Sequence, residues 1–272
     1  LETAVSTFYP SITSERRHED FALQVARGQV PGHRVVQVFG YNADVDQTEE
    51  SVWPDGGTVP HPAVASVLKI SSSSASDAAA GTGARTVYIG GVDGDFNEVS
   101  ETVTLNGQTA VNTVNSYKYV NYLYVVTAGT GGANAGNINV GTGTITAGVP
   151  AVLYDMIAVG YNQRTTAHFC VPAGHTGFMT SGVITAGQES GSSAITSFLK
   201  QHGPDEILRV GAITTMNNGS VQYDFAFPYV IPEKNCVGAT AVGASNNNSV
   251  STFFNIVLVA GPNASAPGTP WN

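Results

Sequence analysis

From Asp44 to Ala260 the chain alternates short runs of Val, Ile, Thr and Tyr with breaks rich in Gly, Asn and Asp. In Thr86–Ile89, Val87 and Ile89 fall on one face. Val99, Val103 and Leu105 share a face with Glu101, opposite Ser100, Thr102 and Thr104. Val221, Tyr223, Phe225 and Phe227 alternate with Gln222, Asp224 and Ala226. A period of two marks strands with one covered face. Asn106-Gly107 and Asn218-Gly219 adjoin such runs and predict hairpins, because a tight two-residue turn needs positive φ at its centre. Asp93-Gly94 predicts a further turn. Tyr117–Val126 reads as one long aromatic strand, and Thr166–Val171 and Gly177–Ala186 as two more. Phe253–Val259 is almost unbroken apolar sequence, which predicts a strand covered on both faces. Many short strands with regular turn signals predict an all-β chain, β-sandwich or jelly-roll-like, with β domains over residues 63–160 and 161–262.

Three segments break this pattern. Residues 1–43 read as an N-terminal arm with a short helix from Ser14 to Arg27. Ser14 caps it, Glu15 suits its first turn and Gly28 stops it. Phe21 and Val25 form a narrow apolar stripe with Ala22 and Ala26, too small to hold a helix without tertiary contact. Pro31-Gly32 then turns the chain into a strand at Val35–Phe39. Residues 44–62 read as a linker: Asp44, Asp46, Glu49 and Glu50 precede Trp53-Pro54-Asp55-Gly56-Gly57 and Pro60-His61-Pro62, a Pro and Gly density that argues against regular structure. Residues 263–272 are polar and Pro-rich and read as a flexible tail.

Composition sharpens the picture. Only 11% of the 272 residues are charged, while 42% are hydrophobic. That combination predicts a folded chain with a neutral surface suited to packing against other proteins. A formal net charge of −9 gives a poor partner for phosphate backbones, so no nucleic-acid binding is expected. No apolar run is long enough to span a membrane. The start, Leu1-Glu2-Thr3, has neither Met nor a basic segment leading into an apolar one, so no secretory leader is expected there. Arg16, Arg17, Arg27 and Arg34 concentrate positive charge near the N-terminus. With Phe21, Val25 and Val38 they form the candidate docking set of the arm.

Candidate chemistry is sparse. Asp93-Gly94-Asp95-Phe96-Asn97-Glu98 spaces oxygens like the opening of a calcium loop, but Glu98 and Thr104 stand where that loop needs Gly and a bidentate Glu. An acidic turn is expected. Gly81-Thr82-Gly83-Ala84-Arg85 lacks the Lys-Ser/Thr ending of a phosphate loop. His18, His33, His61, His168, His175 and His202 show no metal-ligand spacing. Cys170 and Cys236 are expected to be free and buried. No Gly-x-Ser-x-Gly elbow occurs, and the chain is expected to be no enzyme and to hold no cofactor or metal. Asn218, Asn247 and Asn263 match the glycosylation frame by chance in an Asn/Ser-rich chain. Tyr117, Tyr119, Tyr122 and Tyr124 are expected to serve core and cross-strand packing, with a carbohydrate- or protein-contact stripe as the alternative.

Two stretches carry a family resemblance. One is Asp77–Ala110, with Gly81-Thr82-Gly83-Ala84-Arg85 and Glu98-Val99-Ser100-Glu101-Thr102-Val103-Thr104-Leu105-Asn106-Gly107. The other is Val171-Pro172-Ala173-Gly174-His175-Thr176-Gly177. Together with Asp20–Gly28, the chain resembles virion structural proteins of tailed phages, especially those of aquatic bacteria. The resemblance implies a non-enzymatic capsid- or tail-associated protein, homo-oligomeric with a trimer favoured, assembled in the bacterial cytoplasm with other virion proteins. Two readings follow from it: an accessory decoration or cement protein docked through its arm, and a fibre or receptor-binding protein that contacts the host surface.

Overall fold

The computed structural model describes residues 19–188 and 194–261. Its strands form four antiparallel sheets. The first takes β1 (His33–Val45), β16 (Asn248–Ala260), β11 (His175–Gln188) and β14 (Gly219–Ile231), in that spatial order. The second takes β10 (His168–Cys170), β15 (Cys236–Gly243), β12 (Ala194–His202) and β13 (Arg209–Asn217), with the short β2 (Glu50–Ser51) paired to β15. One core joins these two sheets: Val36, Val38, Phe169, Met179, Ile195, Val237, Phe254 and Ile256 all belong to it. The third sheet orders β6 (Val111–Tyr117), β3 (Ser66–Ser72), β8 (Ile138–Thr146) and β9 (Val149–Ile157). The fourth orders β5 (Glu98–Thr104), β4 (Ala84–Val92) and β7 (Tyr119–Ala128). These two share a second core, which includes Leu68, Ile70, Ile89, Leu123, Ile138 and Ile157. The segment that builds the second core is therefore inserted in the chain between β1 and β10.

The arm reading needs correction. Residues 33–45 are no appendage: β1 pairs with β16 from His33↔Val259 to Val45↔Asn248. Its alternation puts Val36, Val38 and Val45 in the core, so Val38 is not available to a partner. The helix α1 spans Phe21–Ala26, capped by Asp20, whose carboxylate accepts from the Ala22 N–H at 2.8 Å. Val25 is buried, whereas Phe21 is exposed, its ring edge-on to His33 at 5.8 Å. Arg27 pairs with Glu19, and Arg34 with Glu98 of β5. Arg16, Arg17 and the expected first turn of the helix lie outside the described residues, as does the tail 263–272.

The linker also has structure. β2 bonds to β15, and Val52 and Trp53 are buried. Glu50 organises the loop, accepting from the Asp46 and Gly57 N–H groups and from Asn42 Nδ2. Trp53 Nε1 donates to Gly56 O at 2.5 Å. Phe253–Val259 differs from expectation as well: Phe254, Ile256 and Leu258 are buried, while Phe253, Val257 and Val259 are half-covered. The outward residues pack sideways instead, as Phe39 on Phe253 at 4.9 Å.

The cysteines are joined. Antiparallel pairing of β10 with β15 sets Cys170 opposite Cys236, with Cα atoms 3.9 Å apart, and the two form a disulfide. The expectation of free thiols fails because a ladder brings together residues 66 positions apart in sequence. In the chain-entropy picture, closing a loop of that size adds about 4 kcal/mol of stability.

Candidate functional site

The seam between the inserted segment and the rest of the chain holds the densest chemistry among the described residues. It begins with Asn121 on β7. Its side-chain oxygen accepts from the Cys170 N–H at 2.9 Å, and its Nδ2 donates to the Cys170 carbonyl at 2.8 Å. One amide thus replaces a neighbouring strand at the free edge of β10. Beside it, Arg164 Nε donates to Asp155 at 2.5 Å, and Arg164 Nη1 donates to the carbonyls of Asn121 and His168. Thr166 donates to the other Asp155 oxygen at 2.7 Å. Both charged side chains are buried. The pair is fully hydrogen-bonded, which is the condition under which two buried charges offset their desolvation.

Next to this weld, three histidines distant in sequence converge. His168 and His202 stack with ring centroids 6.1 Å apart, and His61 lies 6.4 Å from His202. Tyr119 contacts all three, closest to His61 at 4.5 Å. Glu206 joins His61 at 3.3 Å and Lys118 at 2.9 Å. A cleft of about 230 Å³ opens here, lined by His61, His168, His202, Glu206 and Lys200. Burial holds His168 well below the ordinary imidazole value, and the neighbouring His202, Arg164 and His61 disfavour its protonation further. Burial also lowers His202. Both rings are thus kept neutral. Burial likewise raises the Tyr119 phenol, with Glu206 adding to the effect.

Behind His168, Cys170 and Cys236 pack with Val92, Phe96 and Tyr119 into a third small apolar cluster that bridges the two parts of the chain. His168 Nε2 lies 4.0 Å from Cys170 Sγ. Histidine spacing could not reveal this arrangement, since three different loops and strands supply the rings. A signal did exist in the paired Pro60-His61-Pro62, which holds His61 in a fixed extended segment.

A second feature lies on the opposite side of β7. Tyr88 and Tyr124 stack at 4.9 Å, and with Tyr122, Arg34 and Glu98 they line an open hollow of about 570 Å³. Gly90 leaves room there for the rings of Tyr88 and Tyr122, which would have to shift to admit a Cβ. Burial pushes the Tyr122 phenol up to about 12. Of the four tyrosines on the predicted strand, Tyr117 and Tyr119 are buried and Tyr124 is exposed. The strand itself breaks at Lys118, where the chain changes sheet.

In the acidic turn, Asp93 Oδ1 accepts from the Asp95 and Asn97 N–H groups, and Oδ2 from Asn97 Nδ2. Its carboxylate holds the β4–β5 connection. The docking set of the arm is not gathered into one surface: Val25 and Val38 face inward, Arg27 and Arg34 are paired, and Phe21 is exposed. Larger exposed apolar groups lie elsewhere, at Ile207, Leu208, Val210 and Ile213, and at Phe227. Phe227 sits in a bulge. β14 passes from Asp224 to Tyr229 while its partner β11 passes only from Ser181 to Met179.

No protein-family model and no curated protein matches the chain. Among solved structures, the infectious bursal disease virus Gx strain aligns over 85% of this chain and 73% of that chain, at 12% identity and a TM-score of 0.25. T=1 particles derived from infectious bursal virus align over 86% and 71%, at 13% identity and a TM-score of 0.21. Superpositions this loose carry no argument about the present chain.

Proposed function

We propose that this chain is a non-enzymatic structural protein of a virus particle, of the accessory type that covers or reinforces a capsid of the tailed-phage kind. The observation that carries the reading is strand order. Taken in chain order, β1, β10, β11, β12, β13, β14, β15 and β16 can be lettered B to I. The two sheets around the first core are then B-I-D-G and C-H-E-F. That order supports a jelly-roll reading, a double-sheet architecture used by capsid proteins. Lectin and cupin domains share it, and fold alone does not name a function. Two further features favour a packing role. The surface is poor in charge. The free edges of both sheets, β13 and β14, carry the exposed Val210, Ile213 and Phe227. Edges of this kind serve association unless they are blunted.

The docking surface in this proposal is therefore the β13–β14 edge rather than a detached arm. Self-association around a three-fold axis would suit a hexameric shell. The test is a density map of intact particles with this chain placed in it, paired with a Phe227→Asp, Ile213→Asp variant. The variant is expected to fold normally by circular dichroism and to be lost from particles. Density confined to the tail, or normal incorporation of the variant, would overturn the reading.

The Tyr88–Tyr122–Tyr124 hollow favours a second reading, in which the chain contacts a host-surface ligand. Exposed Tyr124 stacked on half-buried Tyr88, beside a charged pair, suits recognition of a flat, polar-edged molecule. Adsorption of the isolated protein to host cells, abolished by Tyr124→Ala, would favour it; absence of adsorption would remove it.

A further inference from the structure

Three polar sites stand outside the packing role just proposed: the tyrosine hollow, the histidine cleft and the Cys170–Cys236 pair. The last is the most constrained. His168 Nε2 and the sulfurs of Cys170 and Cys236 all lie within 4.8 Å of one another. We infer that the reduced form of this protein holds one zinc ion through Cys170, Cys236 and His168, so that one set of residues supports two alternative clasps between β10 and β15.

The chemistry balances as two steps. Reduction by a thiol consumes two R–SH, breaks the S–S bond, gives two Cys–SH groups and releases R–S–S–R. Zinc then displaces the two thiol protons to solvent and gains two thiolates. Two thiolates with one neutral imidazole form a soft donor set suited to zinc, with the fourth position left for water or a neighbouring side chain.

Four observations support the assignment. The cysteines occupy directly opposed positions of one antiparallel pair, so their side chains emerge on the same face. Asn121 satisfies both backbone groups of Cys170, which fixes that residue without engaging its sulfur. His168 lines the cleft and provides the entry path from solvent. His202, its ring centroid 6.1 Å from that of His168, is the neighbouring side chain offered for the fourth position.

The test uses the full chain. The protein is reduced by a water-soluble phosphine, which takes its oxide oxygen from water, and is then desalted without air. Cobalt(II) is added as a spectroscopic probe and zinc for X-ray absorption. The expected result is one equivalent of cobalt bound with a thiolate charge-transfer band. The zinc shell should contain two sulfurs near ~2.3 Å and imidazole nitrogen near ~2.0 Å. His168→Gln should weaken binding about 100-fold, at the upper limit of the loss seen when even an outer partner of such a site is disturbed. Cys170→Ser with Cys236→Ser should abolish the band, and oxidised protein should show none. Sub-stoichiometric binding by folded, reduced protein would overturn the inference. So would a zinc shell without two sulfurs and a histidine, or a band that persists in the double serine variant. The absorption measurement needs no variant, so a misfolded substitution does not blunt the test.

Discussion

Asp77 shows how much one side chain can organise here. It is fully buried. Its carboxylate accepts from Ser72 Oγ at 2.6 Å and from the N–H groups of Ala84, Ala135 and Gly136 at 2.7 to 2.9 Å. The end of β3, the start of β4 and the loop before β8 therefore share one carboxylate. Asp77→Ala should cost on the order of 3 kcal/mol in urea unfolding, because it leaves several buried donors unpaired. Asp77→Asn should recover part of this. Histidine chemistry gives a second expectation, for the oxidised protein. His168 and His202 have folded pKa values below the ordinary 6.5. The unfolded chain therefore binds more protons than the native one once pH falls below about 6.5, and stability falls with it. Glu206, which faces these rings, is held below the ordinary carboxylate value by its hydrogen bond from Lys118 and stays charged throughout that range. The melting temperature should be flat above about pH 7 and decline from about 6.5 downward. His168→Gln with His202→Gln should flatten that decline; an unchanged slope would refute the assignment. Neither group was legible in the sequence. Asp77 reads there as an ordinary polar residue before a turn, because its partners at Ala135 and Gly136 lie far along the chain.

At the scale of elements, alternation identified strands well and their partners poorly. Val87 and Ile89 alternate as expected and are buried. The Asn-Gly signals also turn the chain, with Gly107 at φ +59 and Asn218 at φ +37. Yet neither makes a hairpin within one sheet. β5 and β6 flank Asn106-Gly107 but belong to different sheets, as do β13 and β14 around Asn218-Gly219. A turn residue sets local φ, whereas the facing core decides which sheet receives the next strand. Asp93-Gly94 does join paired strands, Val92 facing Glu98. Val35–Phe39 was legible as a strand, but its partner β16 is the last described strand, so nothing local marks which sheet it joins. Truncation tests this. A chain beginning at residue 30 should unfold cooperatively. A chain beginning at residue 46 loses Val36, Val38 and Val45 from the core, at about 1.5–3 kcal/mol each, and should not fold, as read by far-UV circular dichroism.

For the whole molecule, low charge and turn density indicated an all-β chain, but not that Val36, Val38, Val45 and Val52, read as arm and linker, belong to the first core. What the sequence did not disclose is the nesting of one unit within the other, which rests on pairing between the chain's two ends. Hydrogen bonds that tie the nested unit to the rest include Asn121 to Cys170 and Arg164 to Asp155 and Asn121, beside the apolar cluster around the cysteines, while the exposed Arg34–Glu98 pair adds little. Asp155→Ala strands a buried guanidinium and should cost about 3–5 kcal/mol by denaturant titration. Asp155→Ala with Arg164→Met should cost less than the first change alone.

Because β1 has β16 as its strand neighbour, at the other end of the described chain, the order of synthesis imposes an order of folding. The strands that enclose Leu68 to Ile157 all leave the ribosome while β16 is still untranslated. The nested unit can close first, as units commonly do during synthesis. β1 must wait as an unpaired, apolar edge until nearly the whole chain has emerged. For that interval the nascent protein has a need for chaperones that the finished one lacks.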